Sequence, residues 1–398
     1  MVVRFFPLLP LLLVVACDAS RGPEPLPFLP AGPEAAPAPS HIGPYPVGVR
    51  TLTFVDENRQ TPGREGPRTL VCEVWYPAAE TARGGVGESY PLYEQVPEDV
   101  RALLPTLDAE ALGQVNTDAV RDAPARIAER FPVVVFSHGK GGVRMQSTFY
   151  TVQLASHGYV VIAPDHEGDT VADLLREGDV EITSTVDSYV LRPEDASFVL
   201  DRLATLDERD PLTPLLDLDR VGITGHSFGA LTSFRTAGFD ARIGALVAHT
   251  PVGIGLVNPD LDVKVEDFEI PTMIASGGRD ETLPADLHAD SVWTAMVPDK
   301  YHLHLPRAGH FTFSDLCVLD VEQIQAALGD EVNVEKTLRD GCGSDNVPTD
   351  VAFPIINHFS VGFFNTYLRG SAPSRAALRT DAAASLGAEE FRFDLVER

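Results

Sequence analysis

A chain of 398 residues, 44% of them hydrophobic, can bury a sizeable core without disulfides and suits one large α/β domain or two smaller ones. Its net charge of −27 comes from 58 acidic against 31 basic residues, and lysine occurs only at positions 140, 264, 300 and 336. Such a surface repels phosphate backbones and anionic head groups, so no nucleic-acid role is expected, and a solvated acidic surface accounts for the charge fully.

The chain opens with Arg4 and an apolar run from Phe5 to Ala16, too short to span a bilayer and of signal-peptide proportions. The run closes on Val14-Val15-Ala16-Cys17, which resembles the lipobox of bacterial lipoproteins. That resemblance implies residues 1–17 as a signal ending at Cys17, lipidation of Cys17, membrane anchoring through it and an exported location in a bacterial cell envelope. A Cys17 inside a signal cut elsewhere is the alternative. Residues 18–44 carry eight prolines and little that could form a core, and read as an extended linker.

From Tyr45 onward, strand-like and helix-like segments alternate. Strands are predicted at 50–55, 69–76, 132–137, 160–164, 220–224, 244–248, 272–276 and 301–305. Several are continuous apolar runs, as in "PVVVF" (132–136), which suits strands buried on both faces of a parallel sheet. Helices are predicted at 146–157, 193–205, 228–237, 284–297 and 351–368. Strands alternating with helices point to an α/β class with a doubly wound, mostly parallel sheet. Segments 87–130 and 167–192 read as insertions at the rim of a single domain covering 45–398.

Three cysteines remain after Cys17. An exported chain meets an oxidising compartment, so Cys317 and Cys342, which flank one late segment, are expected to pair. Cys72, in the apolar strand "LVCEVWY", is expected to be a buried free thiol. Neither a C-x-x-C nor an H-E-x-x-H spacing occurs, so no zinc site is expected.

The chemistry centres on "VGITGHSFGALTS" (221–233). A G-x-S-x-G pentad carries mechanism only between a strand and a helix, and here a β-branched run precedes it and a helix-compatible run follows. Ser227 is therefore the candidate nucleophile, with a plain loop serine as the alternative. A serine hydroxyl needs a base, and the base an orienting carboxylate, both from loops at the carboxyl ends of strands. After strand 272–276 comes Asp280. After strand 301–305 comes His310. Asp280 could instead cap a helix, but Thr282 before Leu283-Pro284 is the better N-cap. His302 and His304 lie within a strand, leaving His310 as the base. In "VVVFSHGKGGVR" (133–144), the backbone N–H of Lys140, together with that of Phe228, would form an oxyanion hole. A phosphate loop needs Ser or Thr after Gly-Lys, and Gly141 stands there. His138 is expected to prop this loop.

The segment "FSHGKGGVRMQSTFYTVQLASHGYVVIAPDHEGD" together with "GHSFGA" resembles the platelet-activating-factor acetylhydrolase and dienelactone hydrolase branch of the α/β-hydrolases, over roughly 46–368. The run from His310 to Asp315 resembles the catalytic-histidine segment of the acetylhydrolases, and exported polyester hydrolases and cutinases resemble the layout too. The resemblance implies an α/β-hydrolase fold and cofactor-free hydrolysis of carboxylic esters, small-molecule, lipid or polymer. One departure matters. The acetylhydrolases place the triad acid after the strand that follows the nucleophile helix, whereas here that strand runs into His249-Thr250-Pro251. The acid is then expected one strand later, at Asp280, as in dienelactone hydrolases. Alternatives are an acyltransferase using the same triad, a phospholipase A2-like acetylhydrolase, and a non-catalytic envelope binding protein.

Overall fold

The computed structural model describes residues 38–102, 112–127, 130–177, 182–256, 263–328, 334–381, 383–387 and 389–397. Cys17 and the expected signal segment lie outside these residues, as does most of the linker.

Ten strands form one sheet. In chain order they are β1 (Val47–Asp56), β2 (Arg68–Pro77), β3 (Val120–Arg121), β4 (Phe131–Ser137), β5 (Val160–Pro164), β6 (Leu216–His226), β7 (Ile243–His249), β8 (Thr272–Gly277), β9 (Lys300–Leu305) and β10 (Arg392–Val396). Their spatial order is β10-β9-β8-β7-β6-β4-β5-β2-β1-β3. The run from β5 through β4 to β9 is parallel, while β2 pairs antiparallel with both β1 and β5, and β10 pairs antiparallel with β9.

The apolar runs follow from burial on both faces. Val133 and Val135 of β4 pack with Ile162, Ile223, Leu246 and Ile274 on one side, while Val134 and Phe136 join Val161, Val247, Met273 and Leu303 on the other. Against the first side lie α3 (Ile182–Ala204), α4 (Phe228–Ala237) and α5 (Ala289–Ala295); against the second lie α1 (Thr148–Ser156) and α6 (Thr349–Arg369). The period of two in side-chain direction divides each strand between two cores.

Several elements differ from expectation. Helix α3 begins at Ile182, inside the segment read as rim insertion, and carries Pro193 within it. A further helix, α2 (Val171–Glu177), precedes it. Helix α5 starts at Ala289, not near Pro284. Thr282 does not cap it: its hydroxyl and amide are held by Asp340 at 2.6 and 2.7 Å. Strand β10, which sequence reading missed, closes the sheet with Phe393 packed on Phe359 at 4.2 Å. Cys317 and Cys342 are disulfide-bonded, and Cys72 is a buried free thiol. Among the described residues no helix is long and apolar enough to cross a membrane.

Candidate active site

The sheet reverses its winding beside β4: β5 lies on one side of it and β6 on the other. A crevice opens at such a switch point, outside the carboxyl ends of the strands. Ser227 sits there, between the last residue of β6 and the first of α4. Its backbone adopts φ 57°, ψ −120°, a conformation that costs a non-glycine residue and persists only where the surroundings impose it. The Ser227 amide donates to the His249 carbonyl at 2.9 Å, and from Val221 to Phe234 only Ser227 is not buried.

The flanking glycines allow the turn. A Cβ on Gly229 would lie 1.9 Å from the Ser137 carbonyl oxygen, and one on Gly225 would lie 2.3 Å from that of Gly229. The end of β4, the end of β6 and the start of α4 thus touch backbone to backbone. Gly139 also lies close, its notional Cβ 3.6 Å from that of Ser227, which brings the "SHGKGG" loop against the serine.

His310 follows β9 and Asp280 follows β8, and both are buried. The His310 Nδ1 and Asp280 Oδ2 are 2.9 Å apart. Asp280 Oδ1 accepts from the Leu283 amide at 2.6 Å, so the carboxylate is held at both oxygens. With Nδ1 donating to an acceptor-only group, Nε2 of the neutral ring is the basic nitrogen.

Sequence reading missed what holds these loops together. His226 Nε2 donates to the His310 carbonyl at 3.0 Å, leaving Nδ1 to accept from Gln146 Nε2 at 2.8 Å, and Gln146 Oε1 accepts from the Gly139 amide at 2.9 Å. Burial, with His310 alongside, keeps the His226 ring neutral, as this pattern of roles requires. One chain of bonds therefore ties the His310 loop, the pentad and the glycine-rich loop. No local signal announces it: Gln146 and His226 are 80 residues apart.

Lys140 lies in the glycine-rich loop and Phe228 opens α4, in a first turn where amides have no intrahelical acceptor. The loop is pinned from behind. The Lys140 ammonium pairs with Asp169 at 3.0 Å, and Asp169 also accepts from the Gly141 amide at 3.1 Å. Buried Arg192 bonds Asp169 at 2.9 Å, the Ser137 hydroxyl at 3.0 Å and the His138 carbonyl. His138 Nε2 accepts from the His166 amide at 3.1 Å, which is a propping role. Beneath them, Asp195 accepts two bonds from Arg68 at 2.7 and 2.6 Å and pairs with His166 at 2.8 Å. Burial raises the Asp195 pKa, but Arg68 and His166 outweigh it and hold the carboxyl well below the usual range.

Asp315 faces away from this chemistry. It accepts from the amides and hydroxyl at the start of α1, with Thr148 Oγ1 at 2.5 Å and the Phe149 amide at 3.1 Å, so it caps a helix 167 residues away in sequence. Burial pushes its pKa up to about 6.

The model of the dienelactone hydrolase family matches residues 118–314, which include Ser227, Asp280 and His310. That of platelet-activating factor acetylhydrolase, isoform II, matches residues 33–175, which include the glycine-rich loop. In three dimensions the chain is similar to a ferulic acid esterase from Streptomyces cinnamoneus, with a TM-score of 0.60 and 26% identity over 82% of this chain and 91% of that one. The chain has the α/β-hydrolase fold. The chain is 25% identical to platelet-activating factor acetylhydrolase of Cavia porcellus over 54% of its own length and 55% of the relative's. It is 24% identical to the cutinase est1 of Thermobifida alba over 46% and 54%. It thus spans about half the length of the curated relatives it matches.

Proposed function

We propose that this hydrolase cleaves carboxylic esters through an acyl-enzyme on Ser227. The reading is supported by the buried Asp280–His310 contact at 2.9 Å and by the bond from His226, the neighbour of a serine held at a strained strand-to-helix turn, to the His310 carbonyl. The Ser227 hydroxyl attacks the ester carbonyl carbon and passes its proton to His310 Nε2. Asp280 stabilises the imidazolium, and the amides of Lys140 and Phe228 receive the oxyanion. The tetrahedral intermediate collapses, and the leaving alcohol takes the proton from His310. Water, deprotonated by the same imidazole, then releases the acid and restores the serine.

The wall beside the serine supports an apolar acyl or alcohol group. Phe228 packs with Tyr189, Leu231, Val252 and Ile254, and Leu256 and Leu287 beyond them are about 60% exposed. Small-molecule esters of short-to-medium acyl length are the proposed substrates, and relatives named as acetylhydrolases and cutinases support ester hydrolysis. We place the enzyme on a bacterial envelope, anchored through Cys17, on the strength of the Val14–Cys17 motif.

A panel of p-nitrophenyl esters graded by acyl length tests the reading. Turnover should be highest for short acyl groups and absent in a folded Ser227→Ala variant. Unchanged turnover in that variant overturns the mechanism. Acyl transfer to an added alcohol in preference to water would make the enzyme a transferase.

A further inference from the structure

Residue 340 lies beyond the matched dienelactone-hydrolase segment, in a stretch with no motif of its own. The segment Val334–Cys342 winds helically and breaks at Asp340 and Gly341, where φ is −73° and 124°. There the buried Asp340 carboxylate reaches both loops that carry the proposed base and acid. Its Oδ1 accepts the His310 amide at 2.9 Å. Its Oδ2 accepts the amides of Glu281 and Thr282 at 3.1 and 2.7 Å, and the Thr282 hydroxyl at 2.6 Å. Glu281 and Thr282 directly follow Asp280, so one carboxylate sets the spacing between the two loops whose side chains meet at Nδ1.

The break is itself fixed in place. A Cβ on Gly341 would lie 2.5 Å from the Thr312 amide nitrogen, and one on Gly309 would lie 2.4 Å from the Gly341 nitrogen. Thr312 Oγ1 donates to the Gly341 carbonyl at 3.2 Å. Two residues past Asp340, Cys342 is bonded to Cys317, seven residues after His310.

We propose that Asp340 is a positioning residue of the catalytic machinery, holding the Asp280 and His310 loops in register, and that the Cys317–Cys342 disulfide clips it there. The inference rests on the Ser227–His310–Asp280 reading. Asp340 touches no substrate and acts only through the Asp280–His310 contact. Its four bonds need four acceptances on two oxygens, which a carboxylate supplies and a side-chain amide does not. An asparagine serves one loop or the other, because its NH2 group faces the remaining donors.

The test compares Asp340→Asn and Asp340→Ala, each alone and combined with Asp280→Ala, using p-nitrophenyl acetate turnover and thermal melting. Alone, Asp340→Asn should lower kcat about tenfold and Asp340→Ala about a hundredfold, with KM within twofold. In the Asp280→Ala background, where the contact it positions is gone, the further loss should shrink to less than twofold. Equal losses in both backgrounds, or full kcat in a folded Asp340 variant, overturn the proposal. The isosteric Asp340→Asn keeps the test open should truncation prevent folding. Reduction with dithiothreitol should lower kcat of the wild type and leave Asp340→Ala unaffected; equal sensitivity in both rejects the clip. Retained activity in Ser227→Ala would instead reject the underlying mechanism, so the two failures are separable.

Discussion

Replacing Asp280 with asparagine changes one atom, and the site translates that change into a tautomer. Asp280 Oδ1 is occupied by the Leu283 amide at 2.6 Å and Oδ2 by His310 Nδ1 at 2.9 Å. An asparagine that keeps its oxygen on Leu283 turns its NH2 group toward Nδ1, which must then accept, so the ring proton moves to Nε2. The nitrogen that should take the serine proton no longer can. The flipped rotamer sets NH2 against the Leu283 N–H and is rejected. Loss of the right tautomer in a serine–histidine–aspartate site costs about 10⁴ in kcat. At about 1.36 kcal/mol per decade, that is about 5.5 kcal/mol of transition-state stabilisation. Folding should change far less, because the side-chain volume is retained and one charge-assisted bond is worth about 1.5–3 kcal/mol. Steady-state turnover of p-nitrophenyl acetate, with a melting curve on the same sample, separates the effects. A kcat within tenfold of wild type in the folded variant would refute the role given to Asp280.

Two further outcomes follow from the packing. Gly229→Ala drives a methyl to 1.9 Å from the Ser137 carbonyl oxygen, so β4 and α4 must part by more than an ångström. Overpacking of this kind costs about 1–3 kcal/mol, and displacing both proposed oxyanion amides should lower kcat about a hundredfold; wild-type values of Tm and kcat would contradict the close approach. Stability should also fall with acid. Burial holds His157, His166 and His302 down to about 4 and His249 to about 3, all below the ordinary 6.5. Each folded pKa lies below its unfolded value, so the neutral forms contribute fully above about 6.5 and the contribution is lost as pH falls toward 4, by up to about 3 kcal/mol per group. Asp165 and Asp315, both raised by burial and Asp315 to about 6, act with the opposite sign and are outnumbered by the buried imidazoles. Tm should hold from pH 8 to 7 and drop between 6.5 and 4.5, and a flat profile in calorimetry would contradict the burial of these rings.

The parallel strands and the order of Ser227, Asp280 and His310 were legible because each depends on local signals: apolar runs, a glycine-bounded serine, and polar residues just past strand ends. What lies behind them was not legible. Arg68 and Asp195 are 127 residues apart and fully buried, and nothing local distinguishes such charges from solvated ones. Asp340 and Asp315 act on backbone amides, which carry no residue-type signature. Thr282 followed by Leu283-Pro284 has the pattern of a helix start, but Asp340 claims its hydroxyl and amide, and the helix waits until Ala289. Strand β10 escaped notice because it turns only Phe393 inward, too little of a pattern to stand out without its partner β9.

Labelling with a fluorophosphonate probe, read by peptide mass spectrometry, tests the proposed nucleophile most directly. The adduct should sit on Ser227 in the native protein and form orders of magnitude more slowly in a folded His310→Ala variant. Modification of a different serine, or an undiminished rate without the imidazole, would contradict the account.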